Sequence, residues 1–238
     1  MTYNRIYFYE GEYCVRSIVS EEDQLKVYRL RHDVFCRTLG WVPPSKDRME
    51  KDDYDLFSPS LGVFSEQDDL LGSFRFTPPD HPFMLDKEFK ALLEDGYQIH
   101  KKSNTAEVTR FTSSAALLYG VSSGHISKLL YKGMYQWSLA NNIRYIYHVV
   151  EKRFLRALLI AGLPCQPIGA ARSFPPAGAE SLAALLDWEK FRFQNQVKRP
   201  AFLEWMSVIQ SSHALMPARW LAHESKNAAS PGYSAHGI

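Results

Sequence analysis

Residues 105–169 carry a rhythm that few folds accommodate. "TAEVTRFTSS" (105–114) alternates as a strand, and residues 122–139 recur at helical spacing up to Asn141-Asn142. "IRYIYHVV" (143–150) is β-rich, "EKRFLRALLIAG" (151–162) is helical up to its Gly162 stop, and "CQPIG" (165–169) is a short strand. Strand, helix, strand, helix, strand is the signature of a layered α/β fold.

The flanking segments extend it. "YCVRSIV" (13–19) predicts a strand, and Ser20 followed by Glu21, Glu22 and Asp23 predicts a helix start. Apolar residues from Leu25 to Leu39 keep helical spacing until Gly40, with Arg31 and Phe35 one turn apart on one face. Residues 41–60 have three prolines and no period, yet carry Trp41, Tyr54 and Phe57, so they predict a long ordered loop. "LGVFSEQDDLLGSFRFTPP" predicts a hairpin with Arg75 near the end of its second strand, followed by a helix around residues 85–93. Residues 179–210 read as a helical pair around Pro200, and the last dozen residues as a disordered tail.

Composition narrows the function. A chain of 238 residues at 45% hydrophobic content supports a sizeable core, one domain being the default. Lys+Arg 28 against Asp+Glu 26 is too balanced to attract nucleic acid in bulk. Cys14, Cys36 and Cys165 are odd in number and far apart, which disfavours a disulfide framework or a thiolate metal site. No apolar h-region opens the chain and no apolar run approaches the ~18 residues of a span, so a cytoplasmic protein is expected.

Carboxylates are concentrated in "MEKDDYDLFSP" (49–59), where Glu50, Asp52, Asp53 and Asp55 crowd together. Such a knot either faces water or faces a cation. Asp-x-Asp with a third acid also suits a divalent ion, but the glycine spacing of an EF-hand is absent, and no metal is expected. In 105–114, alternation places Glu107, Thr109 and Phe111 on one face and Val108, Arg110 and Thr112 on the other. Taken alone, Glu107 reads first as a structural ion-pair partner and only then as a functional group, and Arg110 can be read the same way.

The motifs "RLRHDVF" with "LGW", then "EKDDYD", "FRFTPP" with "PFMLDKEF", and "EVTRF" stand in an order that resembles the acyl-homoserine lactone synthases, the bacterial autoinducer synthase family. They cover roughly residues 25–112, and a weaker match reaches about residue 169. The resemblance implies a GNAT-like three-layer α-β-α sandwich, a twisted mixed sheet with splayed central strands. Residues 1–175 would form that domain, 176–222 a C-terminal helical extension packed on it, and 223–238 the tail. It implies acylation of S-adenosylmethionine by a thioester on acyl carrier protein, then lactonisation with loss of methylthioadenosine, needing no cofactor.

On that resemblance Glu107 is expected as the base, acting directly or through one water, and Arg110 as its catalytic companion. Phe111 and Thr112 are placed near the oxyanion donors, and His148 where the acyl chain passes. Arg31, Phe35, Trp41, Asp52, Asp55 and Arg75 belong to the S-adenosylmethionine pocket. The acids either face the sulfonium, with the Phe35 and Trp41 rings, or hold the arginines in a network that shapes the pocket. Met134, Trp137, Tyr147 and Leu158 are candidates for an acyl tunnel. "LLYGVSSGHISK" lacks the pyrophosphate loop of coenzyme A users, which favours a carrier protein docked on Lys128, Lys132, Lys152, Arg153 and Arg156. The rival with the same fold is an N-acyl amino acid synthase or exosortase-associated acyltransferase, which has no adenosine for Trp41 to hold.

Overall fold

The computed structural model describes residues 3–113, 123–174 and 178–209. Nine strands form one sheet in the order β1-β2-β3-β4-β5-β6-β9-β7, with β8 pairing on β9. They are β1 Tyr7–Glu10, β2 Tyr13–Ser17, β3 Ser60–Phe64, β4 Leu70–Thr77, β5 Thr105–Ser113, β6 Tyr145–Glu151, β7 Gln166–Pro167, β8 Arg172–Ser173 and β9 Glu180–Asp187. All neighbours are antiparallel except β5 and β6.

The helices are α1 Glu21–Arg31, α2 Ser123–Ala140, α3 Lys152–Ile160, α4 Trp188–Lys198 and α5 Pro200–Ser207. One face of the sheet carries the main core, in which Val15, Leu61, Phe74 and Phe76 meet Leu129 and Trp137 of α2, Leu158 of α3, Phe191 of α4 and Met206 of α5. Gly133 allows that contact, because a Cβ there would lie 2.8 Å from Leu61 and 2.9 Å from Val15. On the other face, Val27 and Leu30 of α1 cover Cys14 and Phe64, and Phe83, Leu85 and Leu92 cover Tyr147 and Ala183. The result is the expected three-layer α-β-α arrangement.

The central strands part as expected. The β5–β6 ladder runs from Thr105↔Tyr145 to Val108↔His148, while β5 continues to Ser113 and β6 to Glu151. Past Val108 no described strand pairs with β5 on that side.

Four expectations are corrected. Residues 180–187 form a strand, since β9 pairs with β6 from Tyr145↔Asp187 to Glu151↔Ser181. Leu182, Ala184 and Leu186 enter one core and Ala183 and Leu185 another, so both faces are covered and the apolar run loses the alternation that marks a half-buried strand. The strand belongs to the same sheet, so no break between units falls at residue 175, and only α4 and α5 keep the helical reading. Residues 85–93 form two 3₁₀ turns, Met84–Asp86 and Lys90–Leu92, rather than a helix. The amides of Met84 and Leu85 are bound by Glu107 and that of Glu94 by Ile168, leaving no continuous helical ladder. The helix expected to reach Leu39 is α1 followed by a π-helical segment, His32–Thr38, ending at Gly40 with φ 64°. The fourth correction concerns β5.

In β5, Arg110 has φ 55° and a bulge sets Arg110 and Phe111 opposite Phe74, between the pairs Ser73↔Thr112 and Arg75↔Thr109. The extra residue breaks the period of two. Arg110 therefore joins Glu107 and Thr109 on the face of Arg75, while Phe111 joins Phe74 in the main core. The N-terminal strand β1 carried no expectation. The segment 114–122, with Gly120 of the glycine stretch, and residues 210–238, with the end of the expected extension and the tail, lie outside the described residues, whereas Gly124 falls in α2.

Candidate functional site

The carboxylate knot meets three arginines. Ser20 caps α1, its Oγ accepting from the Asp23 amide at 3.1 Å, and the helix carries Arg31 to the sheet, where the residue is 1% exposed. Arg75 stands on β4 and Arg110 on the β5 bulge beside it. The loop supplies the acids through a 3₁₀ turn, Asp53–Leu56, capped by the acids themselves. Asp52 Oδ1 accepts from the Tyr54 amide at 3.0 Å, and Asp55 Oδ2 accepts from the Asp52 amide at 2.9 Å.

The remaining valence goes to guanidinium groups. Asp55 Oδ1 accepts from Arg31 Nη1 at 2.6 Å and from Arg75 Nη1 at 2.8 Å. Asp52 accepts from Arg75 Nη1 on Oδ1, and on Oδ2 from Arg75 Nη2 at 3.2 Å and Arg110 Nη2 at 2.7 Å. Glu50, 4% exposed, accepts from Arg31 Nε and from Arg110 Nε at 3.0 Å. Three positive and three negative groups thus neutralise one another. Burial alone would push the Asp55 carboxyl up; the Arg31 hydrogen bond and the Arg31 and Arg75 charges outweigh it and hold it below the usual range. The positive partners of the knot in the free protein are Arg31, Arg75 and Arg110. Asp53 points away to solvent.

Aromatic rings and a thioether close the cluster. Arg110 Cζ lies 5.6 Å from the Phe35 ring centroid, and Phe35 stacks on half-buried Trp41 at 5.9 Å. The π-helical segment fixes this pair, since the Trp41 amide donates to the Phe35 carbonyl at 2.8 Å. Met84 Sδ lies 3.7 Å from both Arg75 Nη2 and Arg110 Nη1. Arg75 Nε also donates to Thr109 Oγ1 at 3.1 Å. Glu50, Thr109 and Met84 were not among the expected site residues. Glu50 had a signal, as a member of the knot; Met84 and Thr109 had none.

Glu107 is fully buried, Oε2 accepting from the Met84 amide at 2.7 Å and Oε1 from the Leu85 amide at 2.9 Å. Burial raises its pKa to about 7, against the lowering by the two amides and Arg75. A carboxylate so placed anchors the Met84–Leu85 turn through one accepted hydrogen bond on each oxygen. His148, at the apex where the strands part, is buried; its Nε2 has no partner among the described residues and burial lowers its pKa to about 4, so the ring is neutral. Thr112 hydrogen-bonds Ser73 across the β4–β5 ladder.

The acyl candidates are packed. Phe111 stacks on Tyr131 at 5.6 Å and meets Phe154 at 5.5 Å. Met134, Trp137 and Leu158 are core, Trp137 stacking on Phe76 at 3.6 Å, and Tyr147 lies on the opposite face. Of the five basic residues, Lys132 is 1% exposed and paired with Glu10, beneath the Trp205 ring, so it is no docking group. Lys128, Lys152, Arg153 and Arg156 are exposed. The last three border a groove of about 610 Å³ between the start of α3 and that of β9, away from the arginine cluster.

Among the described residues no helix is long and apolar enough to cross a membrane. A family model described as autoinducer synthase matches residues 16–195. An acyl-homoserine-lactone synthase of Rhizobium radiobacter is 32% identical over 149 residues, 60% of this chain and 69% of that protein. The crystal structure of the AHL synthase LasI superposes with a TM-score of 0.67 at 20% identity, over 75% of this chain and 91% of that one. The coenzyme-A-dependent acyl-homoserine lactone synthase BjaI, solved with SAM and isopentyl-CoA, superposes at 0.64 and 20%, over 75% and 87%. These structures share the fold, a GNAT-like mixed sheet with helices on both faces.

Proposed function

Because the chain belongs to the autoinducer synthase family and is an acyltransferase of the acyl-homoserine-lactone synthase class, we propose that it acylates S-adenosylmethionine from an acyl thioester and closes the product to an N-acyl-L-homoserine lactone. The observation that carries this reading is the neutral cluster of Arg31, Arg75 and Arg110 with Glu50, Asp52 and Asp55, capped by the Phe35–Trp41 stack beside the parted strands. It holds charge and rings rigid at one place on the sheet, which is what orienting a nucleoside with a sulfonium, an ammonium and a carboxylate demands. Asp52, with 22% of its side chain exposed, is the acid most open to a sulfonium.

The bookkeeping needs no dedicated protein base. An α-ammonium of pKa ~8 loses its proton to water in part of the population at neutral pH. The free amine attacks the thioester carbon, the C–S bond breaks, and the departing thiolate takes the second amine proton as a thiol. The substrate carboxylate then attacks the carbon bearing the sulfonium, whose C–S bond breaks to release neutral methylthioadenosine. Glu107 acts in this reading by holding the Met84–Leu85 turn, which sets the Met84 sulfur against Arg75 and Arg110. Backbone amides of β5 beyond Val108, without a ladder partner on that side, supply the oxyanion donors near Phe111 and Thr112.

The donor we favour is acyl carrier protein, whose acidic surface suits Lys128, Lys152, Arg153 and Arg156, and the site of action is the cytoplasm. The test is incubation of the purified chain with S-adenosylmethionine and a mixed set of acyl-carrier-protein and acyl-coenzyme-A thioesters. Methylthioadenosine and lactone in equal amounts support the reading; an N-acyl amino acid without methylthioadenosine replaces it with the N-acyl amino acid synthase alternative.

A further inference from the structure

Helix α4 has two apolar faces, and the fold uses one. Trp188, Phe191 and Asn195, spaced i, i+3, i+7, turn inward. The two rings meet Tyr135 at 4.9 and 5.3 Å, and Asn195 Nδ2 donates to the Gly162 carbonyl at 2.8 Å. Lys190, Phe193 and Val197 repeat that spacing on the outward side, where Phe193 is 76% and Val197 80% exposed. Beside them α3 ends at Ile160, whose carbonyl accepts from Arg199 Nη1 at 2.6 Å and whose side chain is 74% exposed. We propose that this face is a docking surface for an anionic membrane. Phe193, Val197 and Ile160 enter the headgroup layer, and the cations between and around them meet lipid phosphate.

Charge selects that occupant. Lys190, Arg192 and Lys198 are exposed and have no ion-pair partner among the described residues, while Glu189, the acid of the helix, is held by Arg144. A second copy of the chain would set these cations against their own kind. Residues 210–238 hold two bases, Arg219 and Lys226, against one acid, Glu224, and so offer no acidic complement either. A bilayer with anionic lipids satisfies both kinds of side chain at once, because long cationic stems reach the phosphates while the apolar tips between them enter the acyl boundary. Docking also leaves the arginine cluster accessible, since α4 packs on the main core and Arg75 stands on the other face of the sheet.

The experiment is sedimentation of the full chain with vesicles of phosphatidylcholine alone, or of phosphatidylcholine and phosphatidylglycerol in equal parts. The expected result is binding to the mixed vesicles only, weakening as salt is added. Replacing Lys190 and Lys198 together by Gln should weaken it on the order of tenfold or more. Phe193→Ser should weaken it severalfold with an unchanged melting temperature, because the ring is exposed. Absence of binding, equal binding to both vesicles, or binding undiminished in both variants overturns the inference. A dimer that Phe193→Ser dissolves, seen by light scattering without vesicle binding, assigns the face to a second copy instead. A raised KM for carrier protein in Phe193→Ser with vesicle binding unchanged assigns it to an acidic protein. None of these outcomes bears on methylthioadenosine release, so the lactone reading is tested separately.

Discussion

Two buried groups of opposite sign set the dependence of stability on pH between about pH 4 and 7. Glu107 has its pKa raised from 4.5 to about 7 by burial, so between those values the folded chain keeps a proton that the unfolded chain gives up. Stability from this group is complete below the unfolded value and falls as pH rises to about 7, by about 3 kcal/mol at 1.36 kcal/mol per unit. His148 has its pKa lowered from 6.5 to about 4 by burial, so the folded chain refuses a proton that the unfolded chain accepts. Its contribution rises with pH from about 4 to 6.5, again by about 3 kcal/mol. The carboxyls held low, such as Asp55 and Asp68, lose their contribution only below this window. The unaltered chain should therefore show a nearly flat urea midpoint between pH 4.5 and 6.5, followed by tryptophan fluorescence. Glu107→Gln removes the falling limb, leaving a rise of about 3 kcal/mol over that interval, besides a constant loss of ~1–3 kcal/mol for the amide left unpaired at Met84 or Leu85. His148→Leu removes the rising limb and leaves a fall of the same size. If both variants track the unaltered chain at a constant offset, neither group is buried with the ionisation assigned to it.

Asp55→Asn should lower the unfolding free energy by about 3–5 kcal/mol, since it leaves an excess guanidinium in a site where Arg31 and Arg75 are at most 1% exposed; normal stability with lost turnover would show that Asp55 serves the substrate instead. Arg156→Glu should raise KM for acyl carrier protein with kcat little changed, and the effect should shrink as salt is added, as measured by methylthioadenosine release at several ionic strengths. Lys132→Met, at the buried pair with Glu10, should cost about 3 kcal/mol in urea unfolding without moving that KM. Arg110→Lys keeps the charge but gives up the fork that spans Glu50 and Asp52, and should depress kcat with a small effect on stability, because the side chain is 17% exposed.

The layered fold was legible where periodicity and punctuation agree: Ser20 and the acids after it do start α1, and Gly162 follows α3 with φ 94°. Strand β9 was not legible, because "ESLAALLD" is rich in helix formers and only pairing with β6 across both covered faces makes it extended. The turns at residues 84–92 were hidden for a related reason, as their amides are claimed by Glu107 and Ile168, residues far away in the chain. At the site, the charges and, as one of two readings, the network of Asp52 and Asp55 with the arginines were readable from the motifs, whereas the place of Glu50 in it was not. Glu50 looked like the edge of the knot and proves its most buried acid, and Lys132 looked like surface and lies in the core.

The Arg110 bulge joins these points. A non-glycine residue at φ 55° costs about 1–3 kcal/mol, a strain that persists only where surrounding contacts offset it. Here the ion pairs to Glu50 and Asp52 and the Phe35 ring do so. Without the extra residue, strict alternation would send Arg110 into the apolar core and bring Phe111 into the ionic cluster. One backbone irregularity therefore places the third guanidinium on the side of Glu107 and Arg75 and, in the same step, drives the Phe111 ring into the wedge between the strands. The charge site and the packing of Phe111 have a common origin. Arg110→Gly relaxes the strained backbone while keeping the bulge available, so it should leave the Phe111 stack in place, as read by an unchanged near-UV circular dichroism spectrum, even as turnover falls.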